Sequence, residues 1–281
     1  MPHPFHRLDL YALFRASIEC RVTAAVVAVI GLFEIFMMYR DSIIEMDTPY
    51  LGGGLFSFAA LGVFALAAVV PLFVGSEYSD GTIRNKVVVG HHRASVYLSL
   101  LLTSLFAETL LILVWTAAYL IPGAILMEHA NPLWVYLVLY LAMFLELAVF
   151  SAIFTLLTMT LGSKAGAAVV CIFCAILLFM QAVVVESMLE EPEYYSPGII
   201  ISDDGTMTME GEPEPNPNYI PEGSPKRAFY NFLMDFMPGG QALQIAGHTI
   251  GKLSKICLYD IGWLVVLTGA GVLMFRRKDL K

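Results

Sequence analysis

"PLFVGSEYSDGTIRNKVVVGHHRASVYLSLLLTSLFAETL", residues 71–110, passes from apolar to strongly polar and back within about twenty residues. Glu77, Asp80, Arg84, Lys86, His91, His92 and Arg93 stand between two runs long and greasy enough to cross a bilayer. A plain connection needs only a few residues, so the polar stretch reads as an element in its own right. Pro71 and Gly75 are expected to weaken the end of the preceding span. "EYSDGT" gives a turn centred on Asp80 and Gly81, and Thr82 is placed to cap a helix starting there. "TIRNKVVVG" then reads as two turns of amphipathic helix ended by Gly90. A short helix lying along the membrane surface has the form of a docking element. An amphipathic loop held by anionic lipid fits the same residues.

The rest of the chain sets this stretch in a membrane. Of 281 residues, 58% are hydrophobic and only 14% charged, and the mean hydropathy is positive. A soluble domain cannot hide that much apolar surface, whereas a multi-span protein presents it to lipid. A span needs about 20 apolar residues to cross a hydrocarbon core of ~30 Å. Six segments qualify: 20–39, 55–75, 95–122, 132–160, 165–186 and 257–275. The first lacks a small-residue cleavage site and is read as a retained span. The expected fold is therefore an all-α membrane protein forming a single transmembrane domain over residues 1–281.

Basic residues near span ends set orientation. His3, His6, Arg7, Arg15 and Arg21 precede the first span, and Arg84, Lys86 and Arg93 lie between the second and third. Lys164 separates the fourth and fifth, while Arg276, Arg277, Lys278 and Lys281 close the chain. Alternate connections are acidic or nearly so, which places both termini in the cytoplasm. Residues 1–19 read as an interfacial amphipathic helix at that surface, or equally as a frayed leader. Residues 187–256 form a large extracellular region. Its first part, 187–225, holds nine Asp or Glu and no Lys or Arg, so one loop supplies the formal net charge of −8. There "DDG" at 203–205 suits a turn between two short strand-like runs, as a small hairpin or a loop ordered on demand. "AFYNFLMDFMPGGQALQIAGHTIGKLSKI" is amphipathic and broken at Pro238, which predicts one or two short helices packed on the outer mouth.

Enzyme signals are poor. HExxH and GxSxG are absent, and no nucleotide-binding GxxxxGK[ST] occurs. "GHTIGKL" at 247–253 comes nearest, with one spacer too few and Leu253 where Ser or Thr is needed. Cys171 and Cys174 form a CxxC inside an apolar helix, where small packing residues are the simpler reading than metal or redox chemistry. The intramembrane carboxylates Glu34, Glu108 and Glu146 fall near mid-span with no Lys or Arg at comparable depth. An ionised carboxylate there costs about 3 kcal/mol or more on insertion scales. These groups are expected to line a polar path, proton site or subunit interface, or to make interhelical hydrogen bonds. Their common depth suggests a shared cavity.

"GSEYSDGTIRNKVVVGHHRASVYLSLLL" resembles the cytoplasmic segment of type-2 ABC exporter permeases. In that family a Glu, a Gly-Thr pair, a basic residue and a later Arg-Ser-like turn precede the third span. Here these are Glu77, Gly81, Thr82, Arg84, and Arg93 with Ser95. "FMPGGQAL" before the last span and the terminal "FRRKDLK" match as well, and the permeases of bacitracin-resistance and lantibiotic-immunity exporters look most similar. The outer loop is longer and more acidic than theirs. The resemblance implies a permease subunit in a bacterial cell membrane that exports amphipathic molecules such as antimicrobial peptides, lipids or drugs. It implies pairing with a second copy or a sister permease, and binding of two ATPase subunits that carry ATP and magnesium, so that this chain needs no cofactor of its own and no nucleic acid. Residues 76–94 would be the coupling segment, with Glu77, Asp80, Gly81, Thr82, Ile83, Arg84 and Lys86 meeting the ATPase. Two rivals remain: a proton-coupled carrier using Glu34, Glu108 and Glu146, and a non-transporting sensor or anchor.

Overall fold

The computed structural model describes residues 10–46, 51–128, 132–195, 198–201, 207–210, 213–248 and 253–278. Six helices are long and apolar enough to cross a membrane: Arg21–Glu45, Phe58–Ser79, Arg93–Leu126, Leu133–Leu161, Lys164–Glu190 and Leu253–Arg277. They belong to α1 (Leu10–Glu45), α3 (Phe58–Ser79), α5 (Arg93–Leu126), α6 (Leu133–Leu161), α7 (Lys164–Glu190) and α10 (Leu253–Arg277). The build is that of a multi-pass membrane protein.

Residues 10–19, expected as a separate surface helix, continue into the first span as one 36-residue helix. At ~1.5 Å per residue this is ~54 Å, well beyond the ~30 Å hydrocarbon core, so its ends project. Residues 1–9 of that expectation lie outside the described residues.

The centre of the bundle is α3 and α6. Their most apolar windows are 67% and 61% buried, against 17% for both α1 and α10. α3 packs on α6 and α7, α6 on α10, and α1 on α5. Pro71 and Gly75 do not interrupt α3, which runs unbroken through both. Gly75 serves instead as a contact point. A Cβ there would stand 2.8 Å from the Lys164 Cα, so only glycine lets the start of α7 cross this close.

A short buried helix, α2 (Gly52–Leu55), precedes α3 in the connection from the first span. Its backbone is satisfied from α5: Trp115 Nε1 donates to Leu55 O at 2.9 Å and Gly54 N–H donates to Tyr119 Oη at 3.1 Å. Irregular backbone is tolerated at membrane depth only where protein supplies such partners. Leu51 N–H also donates to Glu128 O at 3.0 Å, tying this segment to the end of α5.

Beyond α7, β1 (Tyr194–Tyr195) pairs antiparallel with β4 (Glu214–Pro215), and β2 (Gly198–Ile201) with β3 (Met207–Glu210). The hairpin alternative is therefore the one adopted, though its DDG turn lies outside the described residues. Two short helices come next, as the break at Pro238 required: α8 (Pro225–Phe236) and α9 (Pro238–Ala246). Ser224 caps α8 by accepting from Arg227 N–H at 3.2 Å, and α9 packs on α7, α3 and α6.

Candidate functional site

The 71–110 stretch forms a joint between α3 and α5. Gly81 adopts φ 71°, a left-handed conformation that ends α3 and opens α4 (Thr82–Val88). Gly81 rather than Thr82 occupies the cap position, and no side chain caps α4. Its far end closes by paired bonds, Gly90 N–H to Val87 O and His91 N–H to Lys86 O, both 3.1 Å, with Gly90 at φ 103°. This is a glycine-ended helix stop. Ile83 plugs α4 into the bundle at 1% exposure.

The charges expected to meet an ATPase are divided by this fold. Glu77 and Lys86 do not face outward; they pair at 3.1 Å with side chains only 7% and 18% exposed. The outward face carries Arg84, Asn85, Val88, Val89, His91 and His92, and Asp80 is exposed at the turn. Val88 and Val89 are 77% and 79% exposed. α4 is thus pinned on one side, where it packs on α3 and α5, and exposed on the other, which is mixed apolar and basic.

The intramembrane acids do not share one depth. Glu34 accepts from Ser57 Oγ at 3.0 Å and lies beside Gly54 and Tyr119. Tyr119 is eleven residues past Glu108 on α5, which is ~16 Å along the axis. Glu34 is thus half-buried at the α1–α2–α5 seam, apart from the other two.

Glu108 and Glu146 do come together, joined by Asp260 of α10. Glu146 lies within electrostatic reach of both Asp260 and Glu108, and all three are at most 1% exposed. Ser151 Oγ donates to Glu108 Oε2 at 2.7 Å. One turn later on α6 and one turn earlier on α5, Thr155 Oγ1 donates to Ser104 Oγ at 3.2 Å. Residues 104 and 108 on α5 and 151 and 155 on α6 each sit four apart, so they form two rungs of one polar seam. Gln241 of α9 lies beside Asp260 but its amide donates to Asp235 O at 3.0 Å. Among the described residues no donor meets Glu108 Oε1 or either oxygen of Glu146, and Gln241 is the side chain that approaches Asp260. Among the described residues no cluster of His, Cys, Asp and Glu has the arrangement of a metal site. The locus is a cluster of three desolvated carboxyl groups where α5, α6 and α10 meet.

Asp260 was legible by the criterion that picked out the three glutamates. It sits in "KICLYDIGWLVV", but starting the last span at 257 makes it look like an end residue. Ser104, Ser151, Thr155 and Gln241 carry no signal until helix faces are known. Lys278 reads in sequence as a topology charge only. In the fold its ammonium donates to Met159 O at 2.8 Å and Thr160 O at 2.9 Å, capping α6, and lies 4.4 Å over the Tyr78 ring. Cys171, inside α7, packs against α6 with Sγ 3.9 Å from Thr158 Oγ1.

His248 closes the opposite end. It holds φ 59° and sets its ring edge-on to Phe56 at 5.5 Å. Burial lowers its pKa below the ordinary value, opposed by a backbone hydrogen bond at Gly52. The unfolded chain therefore binds more protons near pH ~6.5, and stability falls as pH is lowered through that region. His248→Asn, which tolerates the left-handed backbone, is expected to flatten the dependence of the melting temperature on pH between about 5 and 7. An unchanged slope would place the titrating group elsewhere.

No protein-family model matches the chain, and no curated protein matches it.

Proposed function

We propose that this chain is the permease subunit of an ATP-driven exporter in a bacterial cell membrane, with α4 as the docking joint for a separate ATPase. The observation that carries this reading is α4 itself. Ile83 and the Glu77–Lys86 pair fix one side of the helix to the bundle, and the bare Arg84, Val88 and Val89 face awaits a partner. The α4 end of the bundle, which also holds Arg93, Arg276 and Lys278, would then be cytoplasmic. Two ATPase subunits would supply nucleotide and magnesium, and a second copy or sister permease would complete the path. Amphipathic cargo suits such a path, and the acidic outer loop favours cationic molecules by electrostatics.

The test is recovery of the tagged chain from its native membrane together with its ATPase. Arg84→Glu and Val88→Asp alter only exposed positions. Each is expected to cut the co-purified ATPase at least tenfold while leaving the melting temperature unchanged. Wild-type chain that brings no ATPase, or variants that bring as much as wild type, overturn the reading. A carrier driven by protons is the second reading, favoured by the buried grouping of Glu108, Glu146 and Asp260. It requires transport by the chain alone that tracks a pH gradient.

A further inference from the structure

A groove of about 240 Å³ runs between the last turns of α6 and α10. Leu156 and Met159 form one wall, Met274 and Phe275 the other, with Gly271 at one end and Lys278 at the other. Met159 and Phe275 are each 2% exposed, whereas Met274 is 51% exposed. Behind Gly271 the space is filled by the Tyr97 ring. The groove is therefore closed toward the bundle interior and open sideways, toward whatever surrounds the spans.

Its position along the membrane normal is set by the chain. Gly271 to Lys278 is seven residues, or ~10 Å of helix, at the polar end of the last span. Apolar walls lead to a charged rim over the depth where a phospholipid passes from its first methylenes to its headgroup. The rim is cationic. Lys278 is held in place by the carbonyls of Met159 and Thr160, contacts that fix the ammonium without cancelling its charge. Arg93 donates to the backbone oxygens of Phe275, Arg276 and Lys278, adding a second fixed cation. Arg276 and Arg277 are exposed on the same turn. Among the described residues none of these four forms an ion pair with a carboxylate.

We propose that this groove binds one anionic phospholipid, its phosphate at Lys278, Arg276 and Arg277 and an acyl chain along Leu156, Met159 and Met274. Each Lys or Arg near an anionic surface adds attraction, so Lys278 in the lining, with Arg93, Arg276 and Arg277 close by at this end of the bundle, favours anionic over zwitterionic headgroups. A fixed ammonium and a preformed apolar wall lower the ordering cost of binding. The site depends only on the chain being embedded in a bilayer and not on any ATPase.

The experiment titrates the detergent-purified chain with phosphatidylglycerol or phosphatidylcholine and counts retained lipids by native mass spectrometry. Wild type is expected to keep one phosphatidylglycerol at a concentration at least tenfold below that needed for phosphatidylcholine. Met274→Trp, which fills the groove from its exposed side, abolishes that preference. The double variant R276Q/R277Q reduces it at least fivefold, and neither change removes a buried contact. Equal retention of the two lipids by wild type overturns the proposal. So does a preference that survives Met274→Trp, which makes it a general property of the basic surface, or one that survives R276Q/R277Q. Efficient disulfide cross-linking of M274C chains in phosphatidylglycerol vesicles also overturns it, since a second copy would then cover the groove.

Discussion

Replacing Lys86 by Ala is expected to cost about 3 kcal/mol of stability and to release α4 from the bundle. The size of the effect comes from Glu77, not from the lost attraction. Its side chain is 7% exposed beneath α4, and removing the ammonium at 3.1 Å leaves a desolvated carboxylate. Breaking a buried pair by deleting one partner is far costlier than deleting both, because the remaining charge stays out of water. The double variant E77Q/K86M should therefore recover most of the lost stability. Melting in detergent measures the stability, and proteolysis between Arg84 and Arg93 measures detachment of α4. A loss below about 0.5 kcal/mol in Lys86→Ala would reduce the pair to an ordinary surface bridge and remove one of the two anchors of the joint. The same release should uncouple any partner on the outward face, since a helix held only by Ile83 can rock without moving α3 and α5.

The spans were legible in the sequence because length and hydropathy decide them, and neither depends on how helices pack. All six occur where apolar runs of sufficient length stand. The polar interruption at 76–94 was legible for the same reason. Which of its charges face outward was not, because Glu77 becomes buried and Lys86 half-buried only when α4 folds back over the end of α3. The three glutamates were visible as acids in apolar runs, yet their grouping was not. Depth assigned by residue count within each span ignores the stagger between helices. That stagger puts Glu34 level with Tyr119 and Gly54, and brings Asp260 to Glu146. α2 was hidden because Gly52, Gly53 and Gly54 have low helix propensity. What fixes the turn is Trp115 and Tyr119, some sixty residues away. Lys278 shows the same limit. Its charge is readable, but its role as a cap on α6 depends on where α10 ends.

Glu146→Met is expected to raise stability, since a buried polar group without a partner carries a desolvation penalty of about 1–3 kcal/mol that an apolar side chain of similar volume does not. Among the described residues no donor meets either oxygen of Glu146, and the residue is fully buried against Asp260 and Glu108. A side chain retained for structure would be tied to a donor, as Glu108 is to Ser151 at 2.7 Å. Among the described residues Glu146 has no such tie, so its carboxyl group contributes less to folding than that of Glu108. If transport uses the group in another conformation, Glu146→Met should lose substrate-stimulated ATP hydrolysis in the reconstituted complex while melting higher than wild type. Glu146→Gln separates shape from charge: it keeps the volume and one acceptor, and should show the functional loss with a smaller gain in stability. Glu108→Gln serves as the contrast, since its Ser151 bond persists and little stability should change. A fall in stability for Glu146→Met would mean that a donor reaches the carboxylate in the membrane, and the seam would then be a structural tie between α6 and α10. Higher stability with activity intact would leave the group without a role in the cycle. Only the combination of gained stability and lost activity assigns Glu146 to the path.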